Sequence, residues 1–138
     1  MDLIYDSRPT RKDRKHLDDR LMGFNGYQIK GYAFEGFLYK IINDSNKVIA
    51  GIDCLMGGGW VEIVSLWVSK QYRKKEIGKR LLLEAEKTAK EKACHGSYLY
   101  TYSFQAPRFY EKNGYTIFGV LENYYKNHSK FYMKKSLK

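Results

Sequence analysis

Two hydrophobic periods run along this chain, and the change from one to the other marks its elements. Val61–Ser69 reads Val-Glu-Ile-Val-Ser-Leu-Trp-Val-Ser, rich in β-branched and aromatic residues, and predicts the strongest strand. From Glu76 the apolar spacing lengthens to about 3.6 residues. Ile77, Leu81, Leu82, Ala85, Ala89 and Ala93 then share one helical face, while Lys79, Arg80, Glu84, Glu86, Lys87 and Lys90 face away. Glu86 and Lys90 make an i,i+4 pair, and Gly96 is expected to end the helix.

The remaining elements follow from shorter signals. Leu3–Tyr5 is an apolar start that reads as an edge strand. Ser7 or Thr10 caps a surface helix over Arg11–Phe24, stopped by Asn25 and Gly26. Tyr27–Gly36 has no clear period and reads as a loop or short irregular helix. Phe37–Ile42 and Val48–Met56 are strands joined by the turn cluster Asn43-Asp44-Ser45-Asn46, and Gly57-Gly58-Gly59 makes the next turn. Ser97–Ser103 is a strand. Ala106–Lys112 is a short helix with Pro107 in its first turn, ended by Asn113-Gly114. Tyr115–Val120 and Lys130–Lys134 are the last strands. The order β-α-β-β-β-α-β-α-β-β predicts an α/β fold with a mixed, mostly antiparallel sheet and helices on both faces. Val61–Ser103 supplies a right-handed βαβ unit. No linker or repeat interrupts the 138 residues, so one domain over 1–138 is expected.

Composition narrows the class. No stretch approaches the roughly 20 apolar residues of a membrane span, and Met1–Thr10 lacks the apolar core of a signal peptide. A cytoplasmic protein is expected, with no membrane partner. Cys54 and Cys94 have no metal-ligand spacing, so both read as reduced thiols and no metal site is expected. The formal charge of +10 is uneven: residues 1–60 carry 9 Lys and Arg against 8 Asp and Glu, and residues 61–138 carry 16 against 7. The C-terminal half therefore asks for an anionic partner or presents a solvated basic surface.

One junction concentrates that charge. Strand Val61–Ser69 runs into Arg73-Lys74-Lys75-Glu76-Ile77-Gly78-Lys79-Arg80 and then a helix. A helix start offers unpaired N–H groups and partial positive charge. With five cations in the same turn, it suits a pyrophosphate. Gly78 lets a ligand approach the backbone.

The run Gln71-Tyr72-Arg73-Lys74-Lys75-Glu76-Ile77-Gly78 resembles the cofactor motif Arg/Gln-x-x-Gly-x-Gly/Ala of the GNAT N-acetyltransferases. Ala106-Pro107-Arg108-Phe109-Tyr110-Glu111-Lys112-Asn113-Gly114-Tyr115 is similar to that family's second signature, Ala-x-x-Phe-Tyr-x-x-x-Gly-Phe/Tyr. The two lie one βα unit apart in the family's order. The first motif glycine is replaced by Glu76, whose carboxylate would repel the pyrophosphate, and a frequent family Asn is Ser103 here.

The resemblance implies the GNAT fold, acetyl-CoA as co-substrate, and direct acetyl transfer to an amine. It places the pantetheine arm beside Leu66, Trp67 and Val68, and the pyrophosphate on Arg73, Lys74, Lys75, Glu76, Ile77, Gly78 and Lys79, with Ser103 a further cofactor contact. Tyr110 matches the family's general acid; a phenol with a pKa near 10 stays protonated at neutral pH. Glu62, the one acid of its strand, is the candidate base, alongside an ordered water. By alternation it shares a face with Val64, Leu66 and Val68, where burial would raise its pKa; the alternative is a strand-end carboxylate facing water. Phe24, Tyr27, Tyr32 and Phe34 form one candidate wall of the acceptor site, and Tyr124, Tyr125 and His128 another, since aromatic walls suit a cationic amine. The acceptor is a small-molecule or protein amine, and a homodimer is compatible with the family.

Two other classes fit part of the pattern. A basic nucleic-acid-binding domain accounts for the charge and the many tyrosines, but no RNA-binding aromatic motif or helix-turn-helix pattern is present. A CoA-binding regulatory module without catalysis accounts for the cofactor motif and for Glu76.

Overall fold

The alternating runs pair into one six-stranded sheet in the computed structural model, which describes residues 1–26 and 33–138. The elements are α1 (Arg11–Asn25), β1 (Glu35–Ile42), β2 (Val48–Gly57), β3 (Trp60–Val68), a 3₁₀ turn (Lys70–Tyr72), α2 (Ile77–Glu91), β4 (Gly96–Tyr102), α3 (Pro107–Lys112), β5 (Thr116–Leu121) and β6 (Lys130–Ser136). The chain divides into two units, residues 1–32 and 33–138.

The first unit contains α1. Thr10 caps it in both directions: its hydroxyl accepts from the Asp13 amide at 3.2 Å, and the Asp13 carboxylate accepts from the Thr10 amide at 2.8 Å. No residue of α1 is buried, as its sparse apolar positions anticipate. Leu3–Tyr5 forms no strand and is exposed; three apolar residues without a partner edge gain too little to order a ladder.

The second unit holds the sheet, in the order β1-β2-β3-β4-β6-β5. Only β3 and β4 run parallel; the other neighbours are antiparallel. Gly58 and Gly59, both at positive φ, make the tight β2–β3 turn that matches the twist of its strands. The core lies between the sheet and α2: Ala50, Ile52 and Cys54 of β2 and Val61 and Ile63 of β3 meet Leu81, Leu82, Ala85 and Ala89. Burial pushes the Cys54 thiol up to about 12, so both it and the buried Cys94 are inert free thiols.

Two expectations for α2 need correction. Glu86 is buried rather than outward: it lies one turn beyond Leu82, on the apolar stripe itself. There it accepts from the Tyr115 hydroxyl at 3.0 Å and pairs with Lys135 at 2.8 Å, not with Lys90. Gly96 does not end the helix. That end is Ala93, left-handed at φ 65°, with Cys94 N–H donating to Ala89 C=O and Ala93 N–H to Lys90 C=O. Gly96 instead faces the Trp60 ring, which a Cβ would approach to 2.4 Å.

Candidate functional site

The parallel pair is short. β3 and β4 are in register only at Trp60–Gly96, Val61–Ser97 and Glu62–Tyr98, and then part. Past Glu62 the β3 edge has no ladder partner on the β4 side among the described residues. The cause is local: on its other side β3 pairs Ile63 with Cys54 and Ser65 with Asp53, so Val64 is an extra residue. Such a bulge bends the strand and sharpens its twist. The V-shaped gap is a cleft of about 1100 Å³ lined by β3 from Ile63 to Val68, the loop into α2, the end of β4, and α3.

The bulge also changes which side chains share a face. Before it, Val61 and Ile63 point to the core with Met56 and Cys54. After it, Leu66 and Val68 do, opposite Ile52 and Ala50. Glu62 therefore lies on the other face, with Ser65 and Trp67, and not with Leu66 and Val68 as unbroken alternation requires. It sits at the vertex of the V, outside the residues lining the cleft, and accepts a hydrogen bond from Tyr98 Oη at 3.1 Å.

The mouth of the cleft near α2 is a set of free amides. Lys74 and Glu76 both take left-handed backbone, φ 62° and 58°, curling the loop so that successive N–H groups converge. Among the described residues nothing accepts from the amides of Lys74 to Lys79, which include the orphan donors of the helix start. Arg73 ties this loop to the strand through Nε donating to Val68 C=O at 3.0 Å. Glu76 caps nothing; its side chain is 81% exposed and lies 3.9 Å from Lys79. Its backbone explains why a glycine is usual there: the left-handed well suits a residue without Cβ. Gly78 has ordinary φ, and a Cβ would make normal contact with Phe109 at 3.5 Å. Lys75 stands off the cleft, 5.6 Å over the Tyr72 ring.

Tyr110 closes the inner end. The short helix α3 begins at Pro107 and ends in a Gly114 turn at φ 90°, which carries Tyr110 into the cleft lining. Its ring packs edge-on against Phe109 and Tyr115 at 5.1 and 5.7 Å. Desolvation pushes its phenol up to about 12. Its hydroxyl has no hydrogen-bond partner among the described residues, whereas Tyr115, also raised by desolvation, is bound to Ser97 and Glu86. Of the two buried tyrosines, Tyr110 is the one with a proton to offer.

The other candidates fall elsewhere. Ser103 accepts from the Ser129 amide at 3.1 Å and lies 3.4 Å from His128 Nδ1. It fastens the end of β4 to the segment before β6 and does not line the cleft. His128 packs edge-on against Phe104, 4.8 Å between rings, and Phe104 does line it. Phe24 belongs to the first unit and is 84% exposed; Tyr27 and Tyr32 lie outside the described residues. Sequence reading missed Tyr100 and Tyr102, which line the cleft. Their signal was present in Tyr98-Leu99-Tyr100-Thr101-Tyr102, tyrosines at period 2 on one strand face.

Comparison with known proteins bears on the family and the fold. A family described as the acetyltransferase (GNAT) family matches residues 3–115. An acetyltransferase of Agrobacterium fabrum is 33% identical over 121 residues, 88% of each chain. The crystal structure of an acetyltransferase from Bacillus cereus superposes with a TM-score of 0.87 at 31% identity, over 96% of this chain and 97% of that one. An N-acetyltransferase of Thermoplasma acidophilum, solved with coenzyme A, superposes with a TM-score of 0.65 at 26% identity, over 89% and 73%.

Proposed function

The chain belongs to the GNAT acetyltransferase family, and from that premise we propose that it acts as one domain moving an acetyl group from acetyl-CoA directly to a primary amine. The observation that carries this reading is the parting of β3 and β4 beside the free amides of α2. The unpaired β3 edge can accept an extended chain bearing amides as an added strand, and the amides and cations at the loop suit a pyrophosphate. The residues fit acetyl-CoA in both respects.

Leu66, Trp67 and Val68 hold the pantetheine arm through their backbone. Arg73, Lys74 and Lys79, with the amides up to Gly78, hold the diphosphate. Glu76 weakens that site by charge, but its exposed carboxylate is drawn toward Lys79. Bound acetyl-CoA supplies an activated thioester: the amine lone pair forms the C–N bond, and the C–S bond breaks. Tyr110 gives its proton to the departing sulfur. The raised phenol keeps that proton through the neutral range. The amine's own proton leaves through water toward Glu62, which Tyr98 orients at the vertex.

A thermal-shift titration with acetyl-CoA, CoA and an unrelated nucleotide tests the reading first. A saturable rise in Tm with acetyl-CoA and CoA alone is expected, about 2.7 kcal/mol of added stability at a hundredfold excess over Kd. No rise at millimolar acetyl-CoA would overturn it.

A further inference from the structure

Tyr100 and Tyr102 stand two apart on β4, and Tyr132 of β6 lies directly across from Tyr100, so three phenol rings share one face by register. Tyr124, from the β5–β6 connection, stacks on Tyr102 at 5.4 Å. The four rings surround one cation. Lys130 Nζ lies 3.9 Å from the ring centre of Tyr100, 5.1 Å from Tyr124, 5.2 Å from Tyr132 and 6.0 Å from Tyr102. No carboxylate among the described residues pairs with Lys130. Tyr100 and Tyr102 also line the cleft, so the aromatic box borders it.

We propose that this tyrosine box is an ammonium-binding subsite for the acceptor, and that Lys130 is a tethered occupant displaced when the acceptor enters. The inference rests on the acetyl-transfer reading and deepens it. Ring quadrupoles attract a cation without any acid, so a chain of net charge +10 can still take a cationic substrate here. The nitrogen held in the box is not the one acetylated. Aromatic faces favour its protonated form, whereas attack on a thioester needs the free base. The acceptor therefore carries at least two basic nitrogens, one anchored as ammonium and one neutral at the thioester. Lysine suits the role of occupant because its ammonium rides on a flexible four-carbon stem.

The test titrates tetramethylammonium, which cannot be acetylated, into the full chain by calorimetry. Lys130→Ala is expected to bind it about tenfold more tightly than wild type, a gain equivalent to about 1.4 kcal/mol. Lys130→Arg, which keeps a cation in the box, is expected to match wild type. Adding Tyr124→Leu to Lys130→Ala is expected to abolish the gain. Each variant's thermal shift with acetyl-CoA is measured alongside, so loss of the cofactor site would appear there alone. A Lys130→Ala protein with a normal acetyl-CoA shift and no gain for the ammonium overturns the proposal. Wild type gives a second readout should that variant not fold: a linear diamine is expected to show at least tenfold higher kcat/KM than the monoamine of equal length. Equal values would overturn the proposal, and turnover of neither would count against the acetyl-transfer reading instead.

Discussion

The two walls of the cleft are built in opposite ways. The wall that suits the cofactor comes from one segment of chain, Leu66–Val68, Tyr72–Lys74 and Glu76–Lys79, and it offers backbone amides and cations. The aromatic wall is Tyr100 and Tyr102 of β4, joined outside the cleft lining by Tyr132 of β6 and Tyr124 of the β5–β6 connection, and it carries no acid. A wall made of backbone tolerates a side chain that breaks the family pattern, because Glu76 can adopt the glycine conformation at a cost in strain. A wall made by register tolerates little: slipping β4 by one residue turns Tyr100 and Tyr102 to the opposite face, away from Tyr132.

The largest expected effect separates chemistry from both walls. Tyr110→Phe is expected to lower kcat by about a hundredfold while leaving the affinity for acetyl-CoA unchanged. The same residue shapes alkaline stability. Its phenol is raised from the ordinary 10 to about 12 in the folded protein, so the folded state holds the proton more tightly. That stability is complete below pH 10 and is lost as pH rises toward 12. Denaturant titrations across that window are expected to show a shallower decline for Tyr110→Phe than for wild type. Equal slopes would mean that the ring is not desolvated in solution.

The next effect acts on both walls together. Gly96→Ala places a Cβ against the Trp60 ring, at the paired end of the short parallel ladder that leads to the vertex of the V. It is expected to cost about 1–3 kcal/mol and to weaken acetyl-CoA and tetramethylammonium alike, with Trp60→Leu restoring stability. Weakening of one ligand alone would show that the walls do not share a hinge.

The smallest effect is confined to one wall. A left-handed non-glycine residue costs about 1–2 kcal/mol, and a glycine gives back about 0.5–1 kcal/mol in chain entropy. Glu76→Gly is therefore expected to stabilise by about 0.5–1 kcal/mol. Removing the carboxylate is also expected to tighten acetyl-CoA binding severalfold, with no change for the ammonium probe. Weaker acetyl-CoA binding would show that Glu76 holds the loop rather than straining it.

Most of this architecture was legible in the chain. Period 3.6 located α2, and turn clusters, β-branched runs and Pro107 located β1 to β6 and α3, because all of these are properties of neighbouring residues. Ser7 or Thr10 announced the helix that Thr10 caps, and the basic turn before Gly78 announced the anion-suited loop, since both depend on a few consecutive positions. What depended on partners was not legible. Glu62 changed faces because one extra residue, Val64, sits opposite β2, and pairing register is invisible from one strand. Glu86 turned inward because Tyr115 and Lys135, far along the chain, offered partners that make a buried carboxylate tolerable. Gly96 was needed for the indole of Trp60, not for a helix end. The tyrosine box was spelled out at period 2 in β4 but acquired meaning only when β6 brought Tyr132 and Lys130 across from it. The sequence by itself determined the six strands of the sheet, the three helices, the cation-rich turn before Gly78 and the family. The tertiary structure decided which face each side chain meets, because that is set by pairing between distant strands, and a single bulge reverses it.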